Sequence, residues 1–267
     1  MSVNLSSVAQ EEFDSEVKHA YQGMQTLRGC VTSRLGVVGD KYDFRLMGKG
    51  IATTRTGSSA DVVPMGIAHS LKVATLVDYE APEYTDIYDQ ATVNFDEVVQ
   101  LAKTIAGAMG RRDDQSIIDA MALTTNTFVD ATPTVATLTK ASESLNKVEA
   151  PTEDRYFVCD EAFLKAFLDD EKITSADYAT VRALQSGQVD SFMGFKFKMI
   201  GSGRVEGGLG AGVAYAFHKA AIGHAVGIDM KTRVDWVAHK ASHLSLGMWK
   251  AGSVAIDIEG IVKITAS

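Results

Sequence analysis

One stripe of apolar residues constrains this chain more than any other feature. Phe95, Val98, Ala102, Ile105, Ala106 and Met109 recur at spacings of three and four, and the pattern resumes at Ile117, Ile118 and Met121. Asn94 stands where a helix N-cap belongs, with Glu97 three residues on in the capping-box position. The spacing predicts one long helix over residues 95–124, kinked near Gly110 and roughly 45 Å long at 1.5 Å per residue. A rod of that length spans a whole small domain.

Around it the periodicity changes several times. Phe13, Val17, Ala20, Tyr21, Met24 and Leu27 predict an amphipathic helix over residues 8–28, followed by a loop to about Asp43; placed there it fits a detached arm as easily as a packed core element. Residues 44–78 are rich in β-formers and turn residues with few large apolar side chains, which predicts two strands joined by a long polar loop. Such a ribbon is not stable alone and needs another surface to lie on. Val135, Leu138, Ala141 and Leu145 predict a helix over 134–147, ended near Pro151. Arg155 to Cys159 reads as a strand, Asp160 as the cap of a helix carrying Phe163, Leu164, Phe167 and Leu168, and residues 175–184 as a further short helix. Beyond Val189 the period falls toward two, so the last third is expected to be mostly sheet and the fold class α+β.

The chain has 267 residues, 46% of them hydrophobic, enough for a substantial core. Net charge is −8, from 26 basic and 34 acidic residues, with no basic run longer than Arg111-Arg112; contact with DNA is expected to be weak and nonspecific. Met1 to Gln10 lacks the layout of a signal peptide and no stretch approaches ~18 consecutive apolar residues, so no membrane span is expected and the protein is expected in the cytoplasm.

Catalytic and metal motifs are weak. Gly207-Gly208-Leu209-Gly210-Ala211-Gly212 lacks the spacing of a nucleotide-binding fingerprint and is expected to be a flexible surface loop. His239 and His243 are four apart, but Lys240 stands where a zinc protease has its glutamate, and a third ligand would have to be His218 or His224. Asp113, Asp114 and Asp119, beside Arg111 and Arg112, are expected on a salt-bridged helix surface. Cys30 and Cys159 show neither a disulfide framework nor a local histidine signature. No catalytic, cofactor or metal residue is assigned.

The wording of several segments carries a resemblance. Asp78-Tyr79-Glu80-Ala81-Pro82, Val93-Asn94-Phe95-Asp96-Glu97, and Ala106 to Gln115 followed by Ile117-Ile118-Asp119-Ala120 look like the spine-helix region of the major capsid proteins of tailed bacteriophages, the Hong Kong phage-type fold. Tyr156-Phe157-Val158-Cys159-Asp160, Phe192-Met193-Gly194-Phe195 and Ala216 to Ile222 resemble that family's axial lobe, and Ile256 to Ile264 its closing strand.

The resemblance implies an α+β subunit with an N-terminal arm (1–43), an extended hairpin loop (44–78), a peripheral domain with the spine helix (79–149), an axial domain (150–225) and closing strands returning to the peripheral domain (226–267). It implies a structural, non-enzymatic subunit that assembles with itself as hexamers and pentamers into an icosahedral shell around double-stranded DNA. A portal is an implied partner and a decoration protein an optional one, and a separate scaffolding protein is expected because the sequence shows no long helical extension of the kind some members carry as a built-in scaffold. Lys49 lies in the hairpin without a matching asparagine context, so subunit crosslinking is not expected. An encapsulin-like compartment shell is the alternative within the fold, and a metal hydrolase using His218, His224, His239 and His243 the alternative of another class.

Overall fold

The computed structural model describes residues 24–59, 61–88, 97–169 and 191–266. The expected helix over 175–184, the Asn94 cap and most of the expected 8–28 helix lie outside them. The described residues include the elements β1 (Thr32–Leu35), β2 (Lys41–Met47), β3 (His69–Thr75), β4 (Val77–Asp86), α1 (Glu97–Met121), β5 (Thr127–Val129), α2 (Val135–Lys147), β6 (Arg155–Cys159), α3 (Glu161–Asp169), β7 (Ser191–Phe192), β8 (Phe195–Met199), β9 (Val213–His218), β10 (Ile222–Val237), β11 (Ser242–Ala255) and β12 (Ile261–Thr265).

The strands form three sheets. One has the order β1-β10-β11-β4, a second the order β5-β12-β9-β6-β8-β7, and β2 pairs with β3 alone. Helix α1 runs unbroken through Gly110, where a Cβ would come within 3.3 Å of the Gln25 backbone nitrogen. The glycine admits a neighbouring segment rather than a kink.

Alternation in the second sheet explains its two cores. Phe157, Cys159, Ala214, Ala216, Val262 and Ile264 face α2 and α3, meeting Leu138, Leu145, Phe163 and Phe167. Tyr156, Val158, Tyr215, Phe217 and Ile261 face the other way, onto Ile117, Ile118 and Met121 of α1 and onto Leu27, Cys30 and Val31. Strand β6, covered on both faces, is buried at all five residues. The Asp160 cap acts as read, its Oδ1 accepting the Phe163 N–H at 2.8 Å; a reciprocal capping box of Thr134 with Thr137 at the start of α2 was not read from the sequence.

The first sheet departs from the sequence reading. Strands β10 and β11 form one long hairpin, with 16 residues in β10 and 14 in β11. The interruptions are glycines required by close approach. A Cβ on Gly247 would lie 2.4 Å from Ile105 Cγ2 of α1, one on Gly252 2.0 Å from the Thr75 carbonyl oxygen, and one on Gly223 2.7 Å from the Phe44 ring. Strand β4 tolerates Pro82 because it is an edge strand.

Packing also redraws the expected boundaries. Residues 24–27 are not helical, and Leu27, Cys30 and Val31 are core residues, so the segment 24–43 is not a free arm; it contains β1 and the start of β2. Strand β12 pairs with β9 and β5, so the closing strand does not return to the β10–β11 sheet, and residues 127–147 pack with the 155–218 strands. The reason is the alternation of Val262 and Ile264, which completes the face against α2.

Candidate functional site

Two carboxylates on α1 organise the junction where the chain enters the fold. Asp113 and Asp114 are both fully buried, which corrects the expectation of a salt-bridged surface; only Asp119 is exposed, accepting from Gln115 Nε2 at 2.7 Å. At helical spacing Asp113 falls between Met109 and Ile117, and Asp114 between Gly110 and Ile118, so both occupy the apolar stripe. Asp114 accepts the backbone N–H of Thr26 at 3.0 Å and of Leu27 at 2.9 Å, and Arg204 Nη1 donates to it at 2.9 Å. Those backbone donors are what a helix over 24–27 would have used, and the segment is not helical there. Burial pushes the Asp114 carboxyl above the ordinary range, opposed by the Leu27 and Thr26 amides and Arg204.

Asp113 makes a second link. Gln25 Nε2 donates to its Oδ2, and Oδ1 lies 3.0 Å from His224 Nε2. His224 Nδ1 is 2.9 Å from Ser253 Oγ, which is 2.9 Å from Ser116 Oγ. An Asp-His-Ser series can serve nucleophilic catalysis when substrate reaches the hydroxyl. Here Asp113 and His224 are fully buried and their facing atoms are not hydrogen-bonded, while Ser253 bonds to Ser116 of α1 and Gln25 to Asp113, so those two bonds tie sheet and entry segment to the helix.

The glycine-rich segment is also anchored, which corrects the flexible-loop expectation. Arg204 Nη2 donates to the Met24 carbonyl at 3.0 Å, the Gly207 N–H to Gln115 Oε1 at 3.0 Å and the Gly212 N–H to Asp160 Oδ2 at 2.7 Å, while Leu209 is buried. Gly207, at φ +70°, sits so close to α1 that a Cβ would be 2.3 Å from the Arg111 carbonyl oxygen. Arg112 reaches Glu206 at 2.8 Å and lies over the Tyr79 ring.

The histidines of the hydrolase alternative do not converge. His218 Nδ1 accepts the Ala220 N–H at 3.2 Å, with burial holding its pKa below the ordinary value. His239 lies in the turn Ala238–Lys240, and the His243 ring meets Trp236 edge-on, twelve residues along β10 from His224. Cys30 and Cys159 are separate buried thiols; burial raises the first, and raises Cys159 to about 12.

The β2–β3 ribbon extends away from the core. Its base is held by Phe44, Ala74 and Leu76 against Ala225 and Ile256. Along the 48–68 connection Ile51, Val62 and Val63 stand 82%, 94% and 67% exposed, more apolar surface than the sequence reading allowed. Lys49 pairs with Glu149 Oε2 at 2.9 Å and donates to the Val148 carbonyl. At the outer end of the β10–β11 hairpin Val234 and Trp236 are about half exposed and Lys240 sits over the Tyr84 ring.

A long helix lying across a glycine-punctuated sheet, an outstretched two-stranded ribbon and a second helix-covered sheet make a subunit whose extensions outrun its own core. The family model described as phage capsid protein matches residues 5–267. This chain belongs to the phage capsid protein family. It is a capsid shell subunit with a structural role. Solved structures agree in fold: the capsid of the cyanophage P-SCSP1u matches with a TM-score of 0.77 at 16% identity, over 96% of this chain and 92% of that one. Gordonia phage Cozz matches at 0.77 and 13% identity, over 100% and 95%. The head structure of Helicobacter pylori bacteriophage KHP40 matches at 0.76 and 10% identity, over 96% and 95%. Comparison with curated proteins gives no match. The tailed-phage α+β capsid fold expected from the sequence is therefore the fold of this capsid protein, and neither the encapsulin-like nor the hydrolase alternative is favoured.

Proposed function

We propose that this capsid protein assembles as hexamers and pentamers into the icosahedral head of a tailed phage, closing around double-stranded DNA in the host bacterial cytoplasm. The observation that carries the reading is the ribbon β2–β3, whose apolar connection has no cover on its own subunit among the described residues. Burial of such a ribbon requires a neighbour, and many modest symmetric contacts add up to a stable cage. The peripheral lobe then comprises α1 with the β1-β10-β11-β4 sheet, and the axial lobe the six-stranded sheet with α2 and α3. Net charge of −8 suits an inner wall that holds phosphates weakly, so packaged DNA is contacted without specificity. A separate scaffolding protein and a portal direct closure, and a decoration protein is compatible with the finished surface.

Negative-stain electron microscopy of the protein expressed alone and with its neighbouring scaffold genes tests this. Closed, regular shells are the expected result. Small monodisperse oligomers under both conditions would contradict it.

A further inference from the structure

Beside the entry segment lies a cavity of about 350 Å³, lined by Thr26, Cys30, Tyr156, Lys196, Phe197 and Lys198 among others. Its walls combine the Tyr156 ring with two ammonium groups, while the Phe197 ring packs on the other face of the sheet against Phe157 and Phe167. Lys196 is already bonded to Asp154 at 2.6 Å, whereas Lys198 forms no salt bridge to a described residue. The cavity also adjoins an open sheet edge. Strand β7 covers β8 only at Phe195 and Lys196, so among the described residues nothing pairs with the outer edge from Phe197 to Met199. An extended acidic segment carrying one aromatic side chain fits all three features: ammonium groups, apolar floor and unpaired backbone.

The chain itself supplies such a segment. Residues 11–16 read Glu-Glu-Phe-Asp-Ser-Glu, four carboxylates around Phe13. Met24 is two residues from Thr26 in the cavity wall. Residues 24–27, the end of the helix expected over 8–28, are not helical, and the seven intervening residues 17–23 span up to about 25 Å when extended, enough for the segment to return to the cavity. A linker this short gives the tethered segment an effective concentration on the order of millimolar, ahead of any free acidic peptide.

We propose that residues 11–16 dock on their own subunit at the Lys196–Lys198 edge, with Phe13 in the cavity and the carboxylates on Lys198. This is a property of the single chain, so failure to form shells would leave it standing, and its own failure would leave the shell reading untouched.

Zero-length carbodiimide coupling of unassembled full-length protein, followed by peptide mass spectrometry, tests it. An equal mixture of ¹⁴N and ¹⁵N chains separates links within a chain from links between chains. The Asp154–Lys196 pair provides an internal control in every sample. Expected are within-chain links from Lys198 to Glu11, Glu12, Asp14 or Glu16, falling roughly fivefold in 1 M salt, where the Debye length is about 3 Å. Phe13→Ser should lower the same links comparably while the control pair persists. Arm links absent beside a present control, links only between differently labelled chains, or a yield indifferent to both salt and Phe13→Ser would each overturn the proposal.

Discussion

The carboxylate of Asp114, in the middle of the long helix, accepts the backbone N–H of Leu27 at 2.9 Å, and so fixes the point at which the chain enters the fold. Arg204 approaches the same carboxylate from the glycine-rich loop and leaves the buried charge paired.

Removal of that carboxylate takes the charged partner from a largely buried guanidinium and the acceptor from two amides. Asp114→Ala is therefore expected to destabilise the protein by about 3–5 kcal/mol, the range for breaking one side of a buried pair. Hydrogen exchange at Thr26 and Leu27 should accelerate in Asp114→Asn, which retains the shape but not the charge. Protection at those amides equal to wild type would show that the clamp does not hold the entry segment.

The close glycines of the first sheet make a sharper packing test. Gly247→Ala puts a methyl 2.4 Å from Ile105 Cγ2 and 2.8 Å from Met109 Sδ. Overpacking of this kind is expected to cost about 1–3 kcal/mol. Gly57→Ala, where no heavy atom lies within 4 Å of the new Cβ, should leave the denaturation midpoint unchanged. Equal midpoints for both variants would mean that α1 does not rest on β11 as described.

These same residues mark what the sequence could and could not reveal. Helices α1 and α2, strand β6 and the Asp160 cap were legible because their apolar period and capping residues are local signals. The long β10–β11 hairpin was not, because Gly223, Gly247 and Gly252 look like breaks until the helix, ring and ribbon that press on them are known. Asp113 and Asp114 looked like surface because charge usually is; their place in the Met109–Ile117 and Gly110–Ile118 rows was the available signal. Cover for the 48–68 connection cannot be read from one chain at all, since another copy supplies it in the proposed shell.

Thiol chemistry reports on the second sheet. Cys159 faces α2 and α3, and burial raises its pKa to about 12, with the Asp160 charge adding to the effect. Almost no thiolate exists at pH 8, so an aromatic disulfide reagent should label neither Cys159 nor Cys30 in folded protein and both in denaturant. Rapid labelling of Cys159 in the native protein would refute the double-sided burial of β6.

The Arg28–Asp229 pair gives a pH test with a defined sign. Asp229 is held below the usual carboxylate range chiefly by its hydrogen bond from Arg28. A lowered folded pKa contributes stability above the unfolded value, here 3.8, that is lost as pH falls through the folded value. Arg28→Gln should therefore lose less than about 1 kcal/mol at neutral pH, because Asp229 is largely exposed. The difference from wild type should vanish under acid conditions; a gap that widened there would assign Arg28 a different role.

The ribbon offers the prediction closest to function. Its base is buried in the subunit through Phe44 and Leu76, while Ile51, Val62 and Val63 of the connection are open. Replacing residues 53–66 with a short glycine-serine turn leaves that base in place. The variant is expected to remain a folded subunit, with wild-type far-ultraviolet circular dichroism and a cooperative melt, yet to fail to close shells when co-expressed with the scaffold. The separation follows from where the surface is buried: loss of an intersubunit contact repeated at every position removes assembly free energy without touching any core. Particle yield by sedimentation and electron microscopy decides the matter, and wild-type yield would show that the ribbon's exposed connection has no part in assembly.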